Sequence, residues 1–109
     1  MPVLPQHQHL TGLGRFKDRT LEALHESGQG AESLPEGVYR RFQNVMAIIE
    51  AAQDERIFYA IKGLQTEKLS GNRAGQFSVR LNKQYRLCFE IQKDADGNII
   101  YLLEIVDYH

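Results

Sequence analysis

Residues 76–91 read QFSVRLNKQYRLCFEI, and this stretch decides the fold because apolar and polar side chains alternate along it. A period of two is typical of a β-strand that buries one face. The alternation breaks once, at residues 82–84 (NKQ), so we predict an antiparallel hairpin with a three-residue loop. The cross-strand pairs on its apolar face are then Leu81 with Tyr85, Val79 with Leu87, and Phe77 with Phe89.

The opposite face of this hairpin carries a charge conflict. The same register sets Arg80 directly opposite Arg86, and like charges across a strand pair destabilise it. We therefore expect a nearby anion to offset the repulsion, either a carboxylate from a neighbouring strand or a phosphate. The ordinary partners are Glu104 and Glu90, which would simply pair with the arginines on a solvated sheet face. Cys88 shares this parity and is predicted to be exposed.

Two helices are predicted upstream of the hairpin. Residues 16–27 have helical spacing and are closed by Gly28. Residues 33–36 (SLPE) place a hydroxyl three positions before a glutamate, which predicts the start of a second helix that runs to about Ala52. Residues 54–62 fit either one further helical turn or an irregular connection. The apolar side chains of the two helices are Leu21, Leu24, Val38, Phe42, Val45, Met46 and Ile49.

Downstream, a third strand is predicted at Ile99–Tyr108, after a turn at residues 94–98 (DADGN). Its near-continuous apolar character predicts burial on both faces, and its parity stays open. The helices are expected to pack on the apolar face of the hairpin, which gives an α+β fold with a small, mainly antiparallel sheet of three or four strands. Residues 1–109 are predicted to form one domain, with residues 1–14 as a tail or a lead-in strand.

The charge distribution points to a polyanion. The chain has 13 Lys and Arg against 14 Asp and Glu, a formal net charge of −1. Residues 68–86 nevertheless hold five basic side chains and no acidic one. A concentrated basic segment on a sheet is typical of phosphate or nucleic-acid binding, whatever the total charge.

Other features set limits on compartment and partners. The single cysteine excludes an internal disulfide, and no apolar run approaches the roughly 18 residues that suggest a membrane span. The first residues lack a basic region followed by an apolar run, so they do not form a signal peptide. We therefore expect a cytoplasmic protein with no membrane partner. His7 and His9 alternate, but two ligands do not define a metal site.

Three motifs carry a resemblance to a known family. LSGNRAGQFSVRLN at residues 69–82, YRLCF at residues 85–89 and the end Asp107-Tyr108-His109 resemble the HigB branch of the RelE/ParE-like toxin superfamily. The resemblance covers roughly residues 16–109. It implies the toxin of a type II toxin–antitoxin system, an endoribonuclease (mRNA interferase) that cleaves mRNA on the ribosome without a metal or another cofactor.

The same resemblance implies the partners. They are a cognate HigA-like antitoxin with a helix-turn-helix domain, the ribosome and its mRNA, and operator DNA bound together with the antitoxin. An alternative is a catalytically weak or inactive RelE-fold protein that acts as an antitoxin-binding module. Glu67 and Ser70 motivate it, because many relatives carry a histidine and a basic residue at these positions.

Cleavage of RNA by attack of its own 2′-hydroxyl needs a proton acceptor, a proton donor and cations for the charge on phosphate. His109 is the predicted acid or base because imidazole titrates near neutrality. Tyr108 is predicted to stack on a base or to donate to phosphate, and Asp107 to orient His109 or the attacking hydroxyl. Guanidinium groups are the best phosphate ligands because they stay charged and bind bidentately. The predicted catalytic residues are Asp107, Tyr108, His109 and Arg80, and the predicted RNA-phosphate ligands are Lys68, Arg73, Arg80 and Arg86.

Overall fold

The computed structural model describes residues 14–94 and 97–107, which form helices and one five-stranded sheet. The strands are β1 (Gly14–Phe16), β2 (Glu67–Lys68), β3 (Gln76–Arg80), β4 (Tyr85–Asp94) and β5 (Gly97–Asp107). The helices are α1 (Arg19–Ser27), α2 (Val38–Ala51) and α3 (Ile57–Ala60). The sheet order is β1-β5-β4-β3-β2, with β1 parallel to β5 and the other pairs antiparallel. The α+β prediction is confirmed, with five strands where three or four were expected.

The predicted hairpin between β3 and β4 has the predicted register. Arg80 pairs with Arg86, and the N–H of Leu81 donates to the carbonyl of Tyr85 at 2.9 Å. The side-chain oxygen of Asn82 accepts from the backbone N–H groups of the two residues that close the loop, at 2.7 and 2.8 Å. A local side-chain acceptor of this kind explains why the loop bends where the alternation breaks.

The first helix starts later than predicted. Phe16 lies in β1 opposite Leu102, and α1 begins at Arg19 because Asp18 caps it, accepting from the N–H of Thr20 at 3.1 Å. The predicted end is confirmed: Gly28 has φ 75° and its N–H bonds back into the last turn. Such a left-handed C-terminal residue favours glycine.

The predicted capping box of the second helix is wrong. α2 begins at Val38, after Gly37 with φ 88°. Ser33 instead ends a short 3-10 turn at Ala31–Ser33, where its hydroxyl donates to the carbonyl of Gly30 at 2.7 Å. A hydroxyl used this way competes with helix capping. Residues 54–62 were predicted to form either one further helical turn or an irregular connection. The structure contains the helical alternative, as the short helix α3.

The core lies between the helices and one face of the sheet, as predicted. Phe89 is fully buried and stacks on Phe58 of α3 at a ring-centroid distance of 4.5 Å. Phe77 also stacks on Phe89, at a ring-centroid distance of 5.7 Å. Phe77 and Ile91 are only partly buried. The fully buried side chains from both layers include Val38, Phe42, Val45, Met46, Ile49, Val79, Leu87 and Phe89.

A bulge in β5 settles the parity of the last strand. Phe89 pairs with Leu102 while Cys88 pairs with Glu104, so Leu103 is the extra residue between two registers. Ile100 and Leu102 are buried under the helices, whereas the flanking side chains are partly exposed. The prediction of burial on both faces is therefore wrong, because the helices cover one face only. The extra residue turns Glu104 to the opposite face.

Candidate functional site

The sheet face that points away from α1 and α2 brings together most of the predicted cationic residues. Side chains alternate between faces along a strand, so Arg80 and Arg86 lie opposite the buried Val79 and Leu87. We call this surface the arginine face. It consists of Arg73, Arg80 and Arg86 with their contacts Gln65, Glu67, Gln76, Ser78 and Glu104.

Arg86 is the buried member of the arginine face. Its Nε donates to the Ser78 hydroxyl at 2.7 Å and its Nη2 to the Ser78 carbonyl at 3.3 Å. The same Nη2 donates to the main-chain carbonyl of Gln65. Nη1 lies 3.9 Å from the carboxylate of Glu67. Glu104 is not its partner, which corrects the prediction: Arg86 reaches toward β2, away from β5.

Arg80 is partly exposed and is held by neutral oxygens. Its Nε donates to the carbonyl of Asn82 and its Nη1 to the side-chain oxygen of Gln65, both at 3.1 Å. Within residues 14–94 and 97–107, no carboxylate forms an ion pair with it. Among the described residues, its charge is therefore not offset by a carboxylate.

Arg73 approaches the same face from the turn before β3. Its Nη2 contacts Glu104 at 2.6 Å and its Nη1 donates to Gln76 at 2.7 Å. The predicted ion pairing with Glu104 thus exists, but with Arg73. The pair is substantially exposed to solvent, where ion pairs contribute little to stability. The other candidate carboxylate, Glu90, pairs with Lys17 at 3.1 Å.

The two residues of β2 point to opposite faces. Glu67 pairs with Ser78 and lies on the arginine face, 61% exposed. Lys68 pairs with Phe77 and has the parity of the helix-covered side. The register of β2 therefore separates Lys68 from the other predicted phosphate ligands, which lie on the arginine face. Glu67, which was not in the predicted site, joins it because β2 pairs in that register.

The prediction that Cys88 is exposed is wrong. It is fully buried, although it has the parity of the arginine face and pairs with Ser78 and Glu104. Both residues that pair with Cys88 bind an arginine side chain, Ser78 that of Arg86 and Glu104 that of Arg73. Strand parity alone did not predict the burial of Cys88.

The described part of β5 ends beside the arginine pair. Arg86 pairs with Val106, so Arg80, Arg86 and Val106 form one row across three strands, and Asp107 follows at once. Asp107 pairs with Tyr85 and is exposed, so its register gives it the parity of the helix-covered face and separates it from the arginine pair. The predicted catalytic residues Tyr108 and His109 lie outside the described residues.

Among residues 14–94 and 97–107, no group of three His, Cys, Asp or Glu side chains is arranged to hold a metal ion. In that range, no helix has the length and apolar character needed to cross a membrane.

Comparisons with known proteins concern the family and the fold of the chain. A family profile described as "RelE-like toxin of type II toxin-antitoxin system HigB" matches residues 14–109. Toxin HigB-1 of Vibrio cholerae serotype O1 is 36% identical over 75 residues, which are 69% of this chain and 79% of that protein. In fold, the chain is similar to the YoeB–YefM complex from Staphylococcus aureus (TM-score 0.53, 19% identity, 94% of this chain and 97% of that one). It is also similar to the YoeB dimer from the same organism (TM-score 0.50, 18% identity, 92% and 97%).

Proposed function

The chain belongs to the HigB-like family of RelE-like toxins of type II toxin–antitoxin systems, and from this membership we propose that it is an endoribonuclease that cleaves ribosome-bound mRNA. The observation that carries the proposal is the pair Arg80 and Arg86. Two guanidinium groups lie directly across the strand pair, and their closest acceptors are neutral oxygens. Arg86 has the carboxylate of Glu67 at 3.9 Å, whereas Arg80 has no carboxylate partner among the described residues, so a phosphate can supply the anion for Arg80.

The proposed reaction is the metal-independent attack of a 2′-hydroxyl on the adjacent phosphorus. The O2′–P bond forms as the P–O5′ bond breaks, so one fragment ends in a 2′,3′-cyclic phosphate and the other starts with a 5′-hydroxyl. A base accepts the proton of the 2′-hydroxyl, and an acid protonates the departing O5′. Arg80 binds the phosphate oxygens as their charge grows, with Arg73 and Arg86 adding positive charge nearby.

Proton transfer is assigned to the end of the chain. We propose His109 as the acid or base, Tyr108 as a donor to phosphate or a stacking surface for a base, and Asp107 as the group that orients His109. Support comes from the family membership and from the sequence position of Asp107, one residue after the row that contains Arg86, although its pairing with Tyr85 gives Asp107 the parity of the helix-covered face. Glu67 is the alternative base, because its exposed carboxylate lies on the arginine face. Lys68 is proposed as a more distant contact for RNA.

The proposed partners follow from the same family membership. A toxin of this type is held inactive by an antitoxin, here a HigA-like protein with a helix-turn-helix domain that binds operator DNA in the complex. The YoeB relative of known structure is itself in a complex with YefM. The ribosome presents the mRNA, and we place the reaction in the cytoplasm.

The alternative function is an antitoxin-binding module with weak or no catalysis. Two contacts favour it: Glu67 lies 3.9 Å from Arg86, and Glu104 pairs with Arg73 at 2.6 Å. Both carboxylates lower the positive potential of the arginine face. A phosphate has to compete with them.

Induced expression in a bacterial host separates the two functions. The proposed nuclease arrests growth and produces new mRNA 5′ ends, whereas a module without catalysis leaves growth and mRNA unchanged. His109→Ala tests proton transfer, which typically contributes about 10²–10⁴ in rate. We expect it to abolish detectable cleavage while ribosome binding persists. His7→Ala, outside the region that the family profile matches, is the control. Full activity of His109→Ala would transfer the role of base to Glu67.

A further inference from the structure

Gln65 has an unusual backbone conformation for its residue type. Its φ is 45° and its ψ is 57°, and among the described residues no other non-glycine residue has a positive φ. It ends the 3-10 turn at Lys62–Leu64 and leads into β2. A glutamine in the left-handed region is uncommon and persists only where its surroundings hold it.

The contacts of Gln65 explain what holds it. Its main-chain carbonyl accepts from Nη2 of Arg86, and its side-chain Oε1 accepts from Nη1 of Arg80 at 3.1 Å. One residue therefore binds both arginines that the hairpin register sets opposite each other. The left-handed turn directs the main-chain oxygen to one arginine while the side chain reaches the other.

Both acceptors that Gln65 supplies are neutral. A carboxylate at this position would also bridge the arginines, but it would cancel one positive charge. An amide and a carbonyl orient the guanidinium groups and leave their charge for another anion. The hydrogen bonds to Gln65 thus hold Arg80 and Arg86 together despite the repulsion between their charges, and Gln65 forms no ion pair with either arginine.

A third arginine contacts the same turn. Arg41 of α2 donates through Nη2 to the carbonyl of Gly63 at 2.9 Å and through Nε to the carbonyl of Arg80 at 3.5 Å. The turn that carries Gln65 is therefore tied to the helix layer and to β3. The two hydrogen bonds of Arg41 therefore help to fix the position of this turn relative to Arg80.

We propose that Gln65 is a positioning residue that holds Arg80 and Arg86 side by side without neutralising them, an inference that rests on the proposed function for the identity of the anion as RNA phosphate. Arg80 contacts the phosphate, and Arg86 adds its charge from beneath. Gln65 itself does not touch the reacting atoms. It acts through the orientation of Arg80.

Gln65→Gly tests the orientation. Glycine accepts the left-handed conformation and keeps the carbonyl that Arg86 uses, but it lacks the oxygen that Arg80 uses. We expect an unchanged fold, shifted and broadened Nη–H NMR signals of Arg80, which donates to Gln65 through Nη1, and unchanged Nη–H signals of Arg86. Cleavage of ribosome-bound mRNA should fall about ten- to a hundredfold, as expected for a misplaced catalytic group. Combined with Arg80→Ala, the substitution should cause no further loss.

Gln65→Glu tests the charge. The carboxylate keeps an acceptor for Arg80 but removes one net positive charge from the face. The Arg80 signal should remain sharp, while binding of a short single-stranded RNA oligonucleotide weakens and its log–log salt slope falls by about 1. Gln53→Glu, at an exposed position in the connection after α2, makes the same change in net charge and is the control.

Several results would overturn the role of Gln65. They are an unchanged Arg80 signal in Gln65→Gly, a further loss of cleavage when that substitution is added to Arg80→Ala, and a salt slope in Gln65→Glu equal to that of the control. If the wild-type protein neither arrests growth nor cleaves mRNA, the proposed function fails. The NMR signals and the binding of the RNA oligonucleotide still decide the role of Gln65 in that case.

Discussion

Burial divides two chemically identical residues of the arginine face into different roles. Arg86 is buried and bonds to Ser78 and to the carbonyl of Gln65, so it is part of the structure of the sheet. Arg80 is partly exposed and is the arginine of the pair that solvent or RNA can reach. Arg73 is in between, because its exposed ion pair with Glu104 is easily displaced.

Alanine substitutions at Arg80 and Arg86 should separate these roles. Arg86→Ala leaves buried acceptors without a donor, so we expect a loss of about 1–3 kcal/mol of unfolding free energy. Arg80→Ala should change stability by no more than about 0.5 kcal/mol but lower cleavage by about 10²–10³. Denaturant unfolding and mRNA cleavage measure the two effects. Equal stability losses would contradict the assignment of Arg86 as the structural member.

At the scale of elements, β4 connects the core to the arginine face. Phe89 and Leu87 pack under the helices, while Arg86 and Cys88 point to the other side. The bulge beside Cys88 changes the face to which alternate side chains of β5 point. Ile100 and Leu102 enter the core, and Glu104 reaches Arg73.

Phe89→Ala tests the packing of β4 on the helices. Removing a fully buried aromatic side chain typically costs about 3–5 kcal/mol, a large share of the stability of a small domain. We expect a loss of this size in denaturant unfolding. Tyr59→Ala is the matched control, because Tyr59 is 58% exposed and its truncation should be nearly neutral. A loss no larger than that of the control would show that the assigned faces are inverted.

The turn before α3 contains a carboxylate with a perturbed pKa. Hydrogen bonds from Arg56, at 2.8 to 3.1 Å, lower the pKa of Asp54 from 3.8 to about 2. Because the pKa is lower in the folded chain, the contribution of Asp54 to stability is present above pH 3.8 and is lost as the pH falls toward 2.

Asp54→Asn removes this titration. The stability difference between wild type and variant should therefore be largest near neutral pH and should shrink as the pH falls from 3.8 to about 2. The effect is small because the pair is exposed. Unfolding curves at a series of acidic pH values measure it. A difference that is constant over this range would show that the ion pair does not form in solution.

At the scale of the whole molecule, charge is concentrated on one surface of a nearly neutral chain. The net charge is −1, yet the arginine face gathers three guanidinium groups. If the chain is the proposed nuclease, it has to be kept from mRNA until it is released. An antitoxin bound over the arginine face or over the helices would do so.

Co-purification tests this partnership. Co-expressed with the protein encoded beside its gene, the chain should form a complex with a Kd of about 1 nM or less, about −12 kcal/mol. His109→Ala should leave the complex intact, because proton transfer is not a binding contact. Calorimetry or gel filtration measures both. Separate elution of the two proteins would count against the assignment of a neighbouring antitoxin.

The hairpin, its register, its apolar face and the family resemblance could all be predicted from local sequence patterns. These properties depend on local patterns: alternation across residues 76–91, helical spacing before it, and motifs at residues 69–89. They can be predicted because the repeat of side-chain direction is a property of the backbone. The opposition of Arg80 and Arg86 followed from that repeat alone.

Only the tertiary structure decided which groups surround the arginines. Gln65 meets Arg86 across 21 residues, and Glu104 meets Arg73 across 31. Such contacts depend on the path of the chain between the partners. That path includes the left-handed residue Gln65 and the bulge in β5, and the periodicity of the sequence predicts neither. The burial of Cys88 also depends on neighbouring strands, whereas the late start of α2 at Val38 is local, because Ser33 donates to Gly30 and Gly37 has a φ of 88°. Local patterns specify which way a side chain points, and tertiary packing specifies what it meets there.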